Sequence, residues 1–378
     1  MHSFLSAMDV LLRRVYILWV MTIQLKEKML DVEGLRIAYT DIGPKDGHLV
    51  FCMHGLLSTG RDFDFLGRAL AKRGYRCISM DLPGRGKSGR FNHYMQYVPP
   101  NYLPYCLAVL EHEAPGQEFC WLGVSLGGIL GMMLHEALAV GETLGKKIIE
   151  TMTTPIEELI PRGFFMTRRS AVSKNAPISM FTQFRKSTAN ENERFEEELA
   201  SVDMASLPKI SAKMTRLILI DIGAEIPAHG LDIVAKVAHA PNVFDSFDEA
   251  IEAIKRRCIA WRIISDEVWE HLFKHNILKQ KDGTYAMHYD KGIGMVQPEK
   301  SESVPLWHLW DEIKQPVFLV RGGKSRILPE DVSDRMHDRY SGERFNEIVY
   351  EDCGHIPNVM EEAHVNALVT WIEASQVL

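Results

Sequence analysis

The chain has 378 residues, 46% of them hydrophobic and 25% charged, with 43 Lys+Arg against 50 Asp+Glu and a formal net charge of -7. This length and composition suit a globular chain with a large core and exclude a disulfide mini-protein, a disordered chain and a fibrous repeat. The acidic balance provides no drive onto nucleic acid or anionic membrane.

Residues 15–23 (VYILWVMTI) form an apolar run after Arg13 and Arg14. The run is far shorter than the roughly 20 residues of a membrane-spanning helix. No small-residue cleavage site follows it, and Asp9 interrupts a mitochondrial presequence pattern. Residues 1–33 are therefore set apart as an N-terminal extension, and a cytoplasmic location is expected.

Residues 35–41 alternate as a strand and stop at Ile42-Gly43-Pro44. Residues 48–53 are a short apolar strand that meets His54-Gly55. Helical spacing over 61–73 is followed by a strand at 76–80, stopped by Asp81-Leu82-Pro83-Gly84. A helix is predicted over 101–113, a third buried strand over 119–124 and a long apolar helix from 128 to about 139. Strands return at 216–221, 316–321 and 347–350, and a helix at about 361–375 closes the chain. Continuous apolar strands alternating with helices indicate an α/β fold, its mostly parallel sheet covered on both faces. The predicted organisation is a core over 34–221 with a polar insertion at about 140–214, a helical cap over 222–305, and the rest of the core over 306–378.

Cysteines stand at 52, 77, 106, 120, 258 and 353. No Cys-x-x-Cys spacing occurs and no Cys/His cluster reads as a zinc site, so buried free thiols and no metal are expected. There is no internal repeat or low-complexity tract.

The strongest local signal is Gly123-Val124-Ser125-Leu126-Gly127, followed by Gly128. It lies between a predicted strand and a predicted helix, the context a nucleophile elbow requires. A sharp turn there lifts the Ser125 hydroxyl above the sheet, near helix amides that favour developing negative charge. A hydroxyl is a weak nucleophile and needs a base. His355, in Cys353-Gly354-His355 just past the last predicted strand, is the candidate. A tetrahedral intermediate needs two donors for its oxyanion. The Leu126 amide follows the nucleophile, and the Leu56 amide can be turned inward beside Gly55, with His54 supporting that loop.

In these motifs the chain resembles the α/β-hydrolase fold serine hydrolases. The resemblance rests on His54-Gly55, DLPGRGKSG at 81–89, GVSLGG at 123–128, LILIDIG at 217–223, PVFLVRGGKS at 316–325 and CGHIP at 353–357. It covers about residues 34–375 and implies hydrolysis of an ester or related acyl or carbon–carbon bond. Two departures stand out. One is the insertion at about 140–214. The other is at the position after Ser325, where the family usually carries its acid and this chain has Arg326. Some members place the acid after the sixth strand instead, which would make it Asp221. A turn-capping role for Asp221 stays open, and Glu225 and Asp331 are weaker candidates.

Two functional readings follow. The first is a cofactor-independent hydrolase of a small, apolar substrate, with Ser125, His355 and Asp221 as catalytic residues and Leu56, Leu126 and Gly55 around the oxyanion. The second is a degraded hydrolase that binds ligand or partner without turnover. Gly292-Ile293-Gly294 is half a nucleotide motif without a preceding strand, and carries no weight.

Overall fold

The computed structural model of the protein describes residues 24–139, 211–297 and 301–375. Most of the expected insertion at 140–214 and the apolar run at 15–23 lie outside the described residues.

Eight strands form one sheet. They are β1 (Lys26–Val32), β2 (Leu35–Ile42), β3 (Leu49–Met53), β4 (Arg76–Met80), β5 (Glu118–Val124), β6 (Lys213–Ile220), β7 (Val317–Gly322) and β8 (Phe345–Tyr350). Their spatial order is β1-β2-β4-β3-β5-β6-β7-β8. β3 to β8 run parallel, while β1 and β2 are antiparallel to their neighbours. β3, β4 and β7 are buried along their whole length. That explains their largely apolar sequences, because helices cover both faces of the sheet. The covering helices include α1 (Asp64–Ala71), α2 (Leu103–Glu113) and α3 (Leu126–Ala139).

β1 lies inside the stretch set apart as an extension. It pairs with β2 from Lys26↔Asp41 to Val32↔Leu35, through a two-residue turn in which Glu33 and Gly34 have φ of 52° and 81°. Positive φ at both central residues is the hairpin turn whose twist matches its strands. The core sheet thus begins at Lys26 rather than at residue 34. The strand escapes sequence detection because KEKMLDV is an edge strand with four half-buried or exposed charged positions.

Between β6 and β7 the chain leaves the sheet. It forms α4 (Ala228–Ala238), α5 (Phe247–Arg257) and α6 (Asp266–Asn276). It also forms a small sheet of residues 243–244, 285–287 and 277–279, which helical periodicity did not foretell. α7 (Glu330–Arg339) and α8 (Glu362–Ala374) follow in the second part of the core. The six cysteines are all buried and unpaired, as expected. No helix among the described residues is long and apolar enough to cross a membrane.

Candidate active site

The residues singled out in the sequence converge at the C-terminal ends of β3, β5, β6 and β8, where open parallel sheets place their crevices. Ser125 follows β5 directly. Its φ is 50°, its amide donates to Ile220 O at 2.9 Å, and its carbonyl accepts from the Gly128 and Ile129 amides, the first turn of α3. The turn is tight enough that a Cβ at Gly123 would lie 2.3 Å from Gly127 O, and one at Gly127 would lie 2.1 Å from Met53 O. No alanine fits either position without moving the backbone.

His355 arrives from the loop after β8. Its Nε2 lies 3.0 Å from Ser125 Oγ and its Nδ1 lies 2.7 Å from Asp221 Oδ2. Asp221, the first residue after β6, is fully buried. Its Oδ1 accepts from the Gly322 amide at 2.8 Å. Its Oδ2 also accepts from Ser325 Oγ at 2.6 Å and the Ile356 amide at 3.3 Å.

Ser125, Asp221 and Ile356 all have positive φ, at 50°, 53° and 68°. Such backbone costs of order 1–3 kcal/mol per residue and persists where surrounding structure enforces it. Here the enforcing contacts are visible. Asp221 N donates to Val320 O at 2.7 Å, and Gly354 N donates to Ala260 O at 2.9 Å. Asn358 Nδ2 donates to Trp261 O at 3.2 Å. The loop bearing His355 is therefore braced by residues 260–261 of the segment between β6 and β7.

The loop after β3 lies beside the nucleophile, since a Cβ at Gly55 would be 3.7 Å from Ser125 Cβ. The amides of Leu56 and Leu126 donate to no protein acceptor among the described residues. Two buried groups fix this loop. His54 donates from Nδ1 to Gly55 O at 2.6 Å and accepts the Leu82 amide on Nε2 at 3.0 Å. Burial, aided by the charge of Arg85, pushes its pKa down to about 3, so the ring is neutral and supports the loop. Arg85 donates to Leu56 O at 2.9 Å and to Tyr102 Oη at 2.7 Å. Arg85 was not picked out by sequence; its signal was a cation within the buried turn DLPGRG.

The remaining acid candidates point elsewhere. Glu225 accepts from Trp307 Nε1 and Arg335, and Asp331 pairs with Arg335 in the first turn of α7. Arg326 is exposed and makes no hydrogen bond or ion pair among the described residues. Its neighbour Ser325 turns inward onto Asp221 instead.

Residues 49–368 match the model of the alpha/beta hydrolase family. The chain belongs to the alpha/beta hydrolase family. This alpha/beta hydrolase is 23% identical over 341 residues to a 3-hydroxybutyrate-oligomer hydrolase of Cupriavidus necator, covering 87% of this chain and 90% of the relative. It shares the fold of a Rickettsia typhi protein, with a TM-score of 0.67 and 22% identity over 93% of this chain and 99% of the other. An alpha/beta hydrolase from Novosphingobium aromaticivorans superposes with a TM-score of 0.64 and 21% identity, over the same 93% and 99%. The mostly parallel sheet read from the sequence is thus the fold of the family, and hydrolytic function is supported by it.

Proposed function

We propose that the chain is a serine hydrolase that cleaves an ester, or a related acyl or carbon–carbon bond, through an acyl-enzyme. The observation that carries this reading is the unbroken relay from Ser125 Oγ to His355 Nε2 at 3.0 Å and from His355 Nδ1 to Asp221 at 2.7 Å. In this mechanism Ser125 Oγ attacks the substrate carbonyl while His355 Nε2 takes its proton. Asp221 holds the proton on Nδ1 and stabilises the imidazolium that forms. The amides of Leu56 and Leu126 receive the oxyanion, held in advance so that little reorganisation is needed as charge develops. The imidazolium returns its proton to the leaving group. Water, deprotonated by the same ring, then frees the acid and restores Ser125. No cofactor takes part.

Residues 222–305 act in this reading as a cap over the nucleophile, and the substrate is small and apolar. The Cupriavidus relative is named for cleaving an oligomer of 3-hydroxybutyrate, an oligoester, and such short oligoesters are the first natural-type substrates to try. The degraded-hydrolase alternative drew on Arg326 and on the insertion at about 140–214. The Arg326 side chain is exposed, Asp221 stands at the imidazole, and most of the insertion lies outside the described residues, so among the described residues no observation favours it. The test is turnover of p-nitrophenyl esters of increasing chain length and of 3-hydroxybutyrate oligomers, by wild type and Ser125→Ala. Turnover that disappears in the variant is expected. Turnover that survives it, or none on any acyl substrate by folded wild type, overturns the reading.

A further inference from the structure

A second cluster of ligand-type side chains lies away from Ser125. α6 carries His271 and His275, four residues apart and therefore on one face of the helix. Their ring centroids are 4.5 Å apart. α1 brings Asp64 against that face, with Asp64 Oδ2 at 3.8 Å from His271 Nε2. One donor atom from each of the three residues lies within 4.8 Å of the other two. Neither ring nitrogen of His275 has a hydrogen-bond partner among the described residues. His275 also lines a cavity of about 210 Å³ shared with Arg61, Asp81, Lys87 and His288, which includes neither Ser125 nor His355.

We propose that Asp64, His271 and His275 bind one divalent transition-metal ion of the zinc class at the seam between α1 and α6. Two imidazole nitrogens and one carboxylate oxygen are donors that zinc, cobalt(II) and nickel(II) share, whereas calcium and magnesium prefer all-oxygen sites. The cavity beside His275 leaves room for water to complete the coordination. Zinc spacing in cysteine and histidine alone misses this set, because the third ligand is an aspartate from far upstream.

Arg61 competes for the site. It donates to both Asp64 oxygens, at 3.0 and 2.9 Å from Nε and 2.5 Å from Nη2. Its carbonyl accepts from His271 Nε2 at 2.8 Å. Metal entry therefore needs the Arg61 guanidinium to leave Asp64, keeping its partner Glu27 at 2.6 Å, and the His271 proton to move to Nδ1. The ion then links α6, which belongs to the segment between β6 and β7, to the helix that follows the Gly55–Leu56 loop.

The test is a titration of the full chain with cobalt(II), read by ligand-field absorption and by thermal melting, neither of which needs turnover. One saturable equivalent is expected. His275→Ala and His271→Ala should each weaken binding by about tenfold or more, Arg61→Gln should tighten it, and His355→Ala should leave it unchanged. Wild type without a saturable equivalent, His275→Ala binding as tightly as wild type, or loss of binding in His355→Ala would each overturn the assignment. Should the histidine variants not fold, Arg61→Gln decides, and unchanged affinity there overturns it.

Discussion

Replacing Asp221 by asparagine exchanges one acceptor oxygen for a donor NH₂ group. The asparagine oxygen can keep the Gly322 amide, now 2.8 Å from Oδ1. The other position becomes an NH₂ group facing Ser325 Oγ, the Ile356 amide and His355 Nδ1, the three partners of Oδ2. It opposes the Ile356 N–H as donor against donor. It can bond to His355 Nδ1 only when that nitrogen carries no proton. The proton then sits on Nε2, where it meets Ser125 Oγ at 3.0 Å, and the ring can no longer accept the hydroxyl proton. The corresponding change in a serine protease costs about ten-thousandfold in kcat, or about 5 kcal/mol of transition-state stabilisation at 1.36 kcal/mol per tenfold. The fold should also lose about 1–3 kcal/mol for a buried donor left without an acceptor. The assay is p-nitrophenyl ester hydrolysis with kcat and KM separated, beside a urea melt. A kcat loss near the full value with little change in KM is expected. A loss of less than about tenfold in a folded variant would refute the assignment of Asp221 as the acid, since a merely capping residue leaves the tautomer untouched.

Arg326→Asp should change kcat/KM by less than about twofold, as an exposed substitution without partners; a large gain in ester hydrolysis would instead support the degraded-enzyme reading. Arg85→Met removes the donor on Leu56 O and should lower kcat by about tenfold to a hundredfold, short of the hundred- to thousandfold for deleting an oxyanion donor, with KM nearly constant; unchanged kcat would show that the loop holds its shape without Arg85. Asp62, buried beside this loop, has its pKa pushed up to about 7, chiefly by burial. The folded state therefore keeps a proton that the unfolded state releases near pH 3.9, so this stabilisation is complete below that pH and is lost as pH rises through 7, by about 1.4 kcal/mol per unit. Asp62→Asn does not titrate, so urea melts at pH 5 and pH 7.5 should show wild type losing ground to the variant by a few kcal/mol; a constant difference would contradict the sign.

Seven of the eight sheet strands were legible because most carry short apolar runs, as in the fully buried Leu49–Met53 and at 317–320, or alternate as β2 does. β1 was not, since an edge strand with Lys26, Glu27 and Lys28 in a row has no such signature. Ser125 was marked by its flanking glycines, which the Met53 and Gly127 carbonyls make obligatory at 123 and 127. The partnership of Asp221 with His355 could only be offered as one of several, because it depends on the Ile356 amide, the Gly322 amide and Ser325 meeting across three strand ends. Arg326 misled for a related reason: sequence gives the position after Ser325, but not that its side chain faces solvent. The cluster of Asp64 with His271 and His275 was illegible as a set, because Asp64 lies far upstream on α1 and the two histidines on α6.

The central claim is that Ser125 becomes acylated. Intact-mass and peptide mass spectrometry after treatment with a fluorophosphonate probe test it most directly. One phosphonyl group on the peptide containing Ser125 is expected, absent in Ser125→Ala and formed far more slowly in His355→Ala. A folded wild-type protein that stays unmodified, or an adduct that persists in Ser125→Ala, would contradict it.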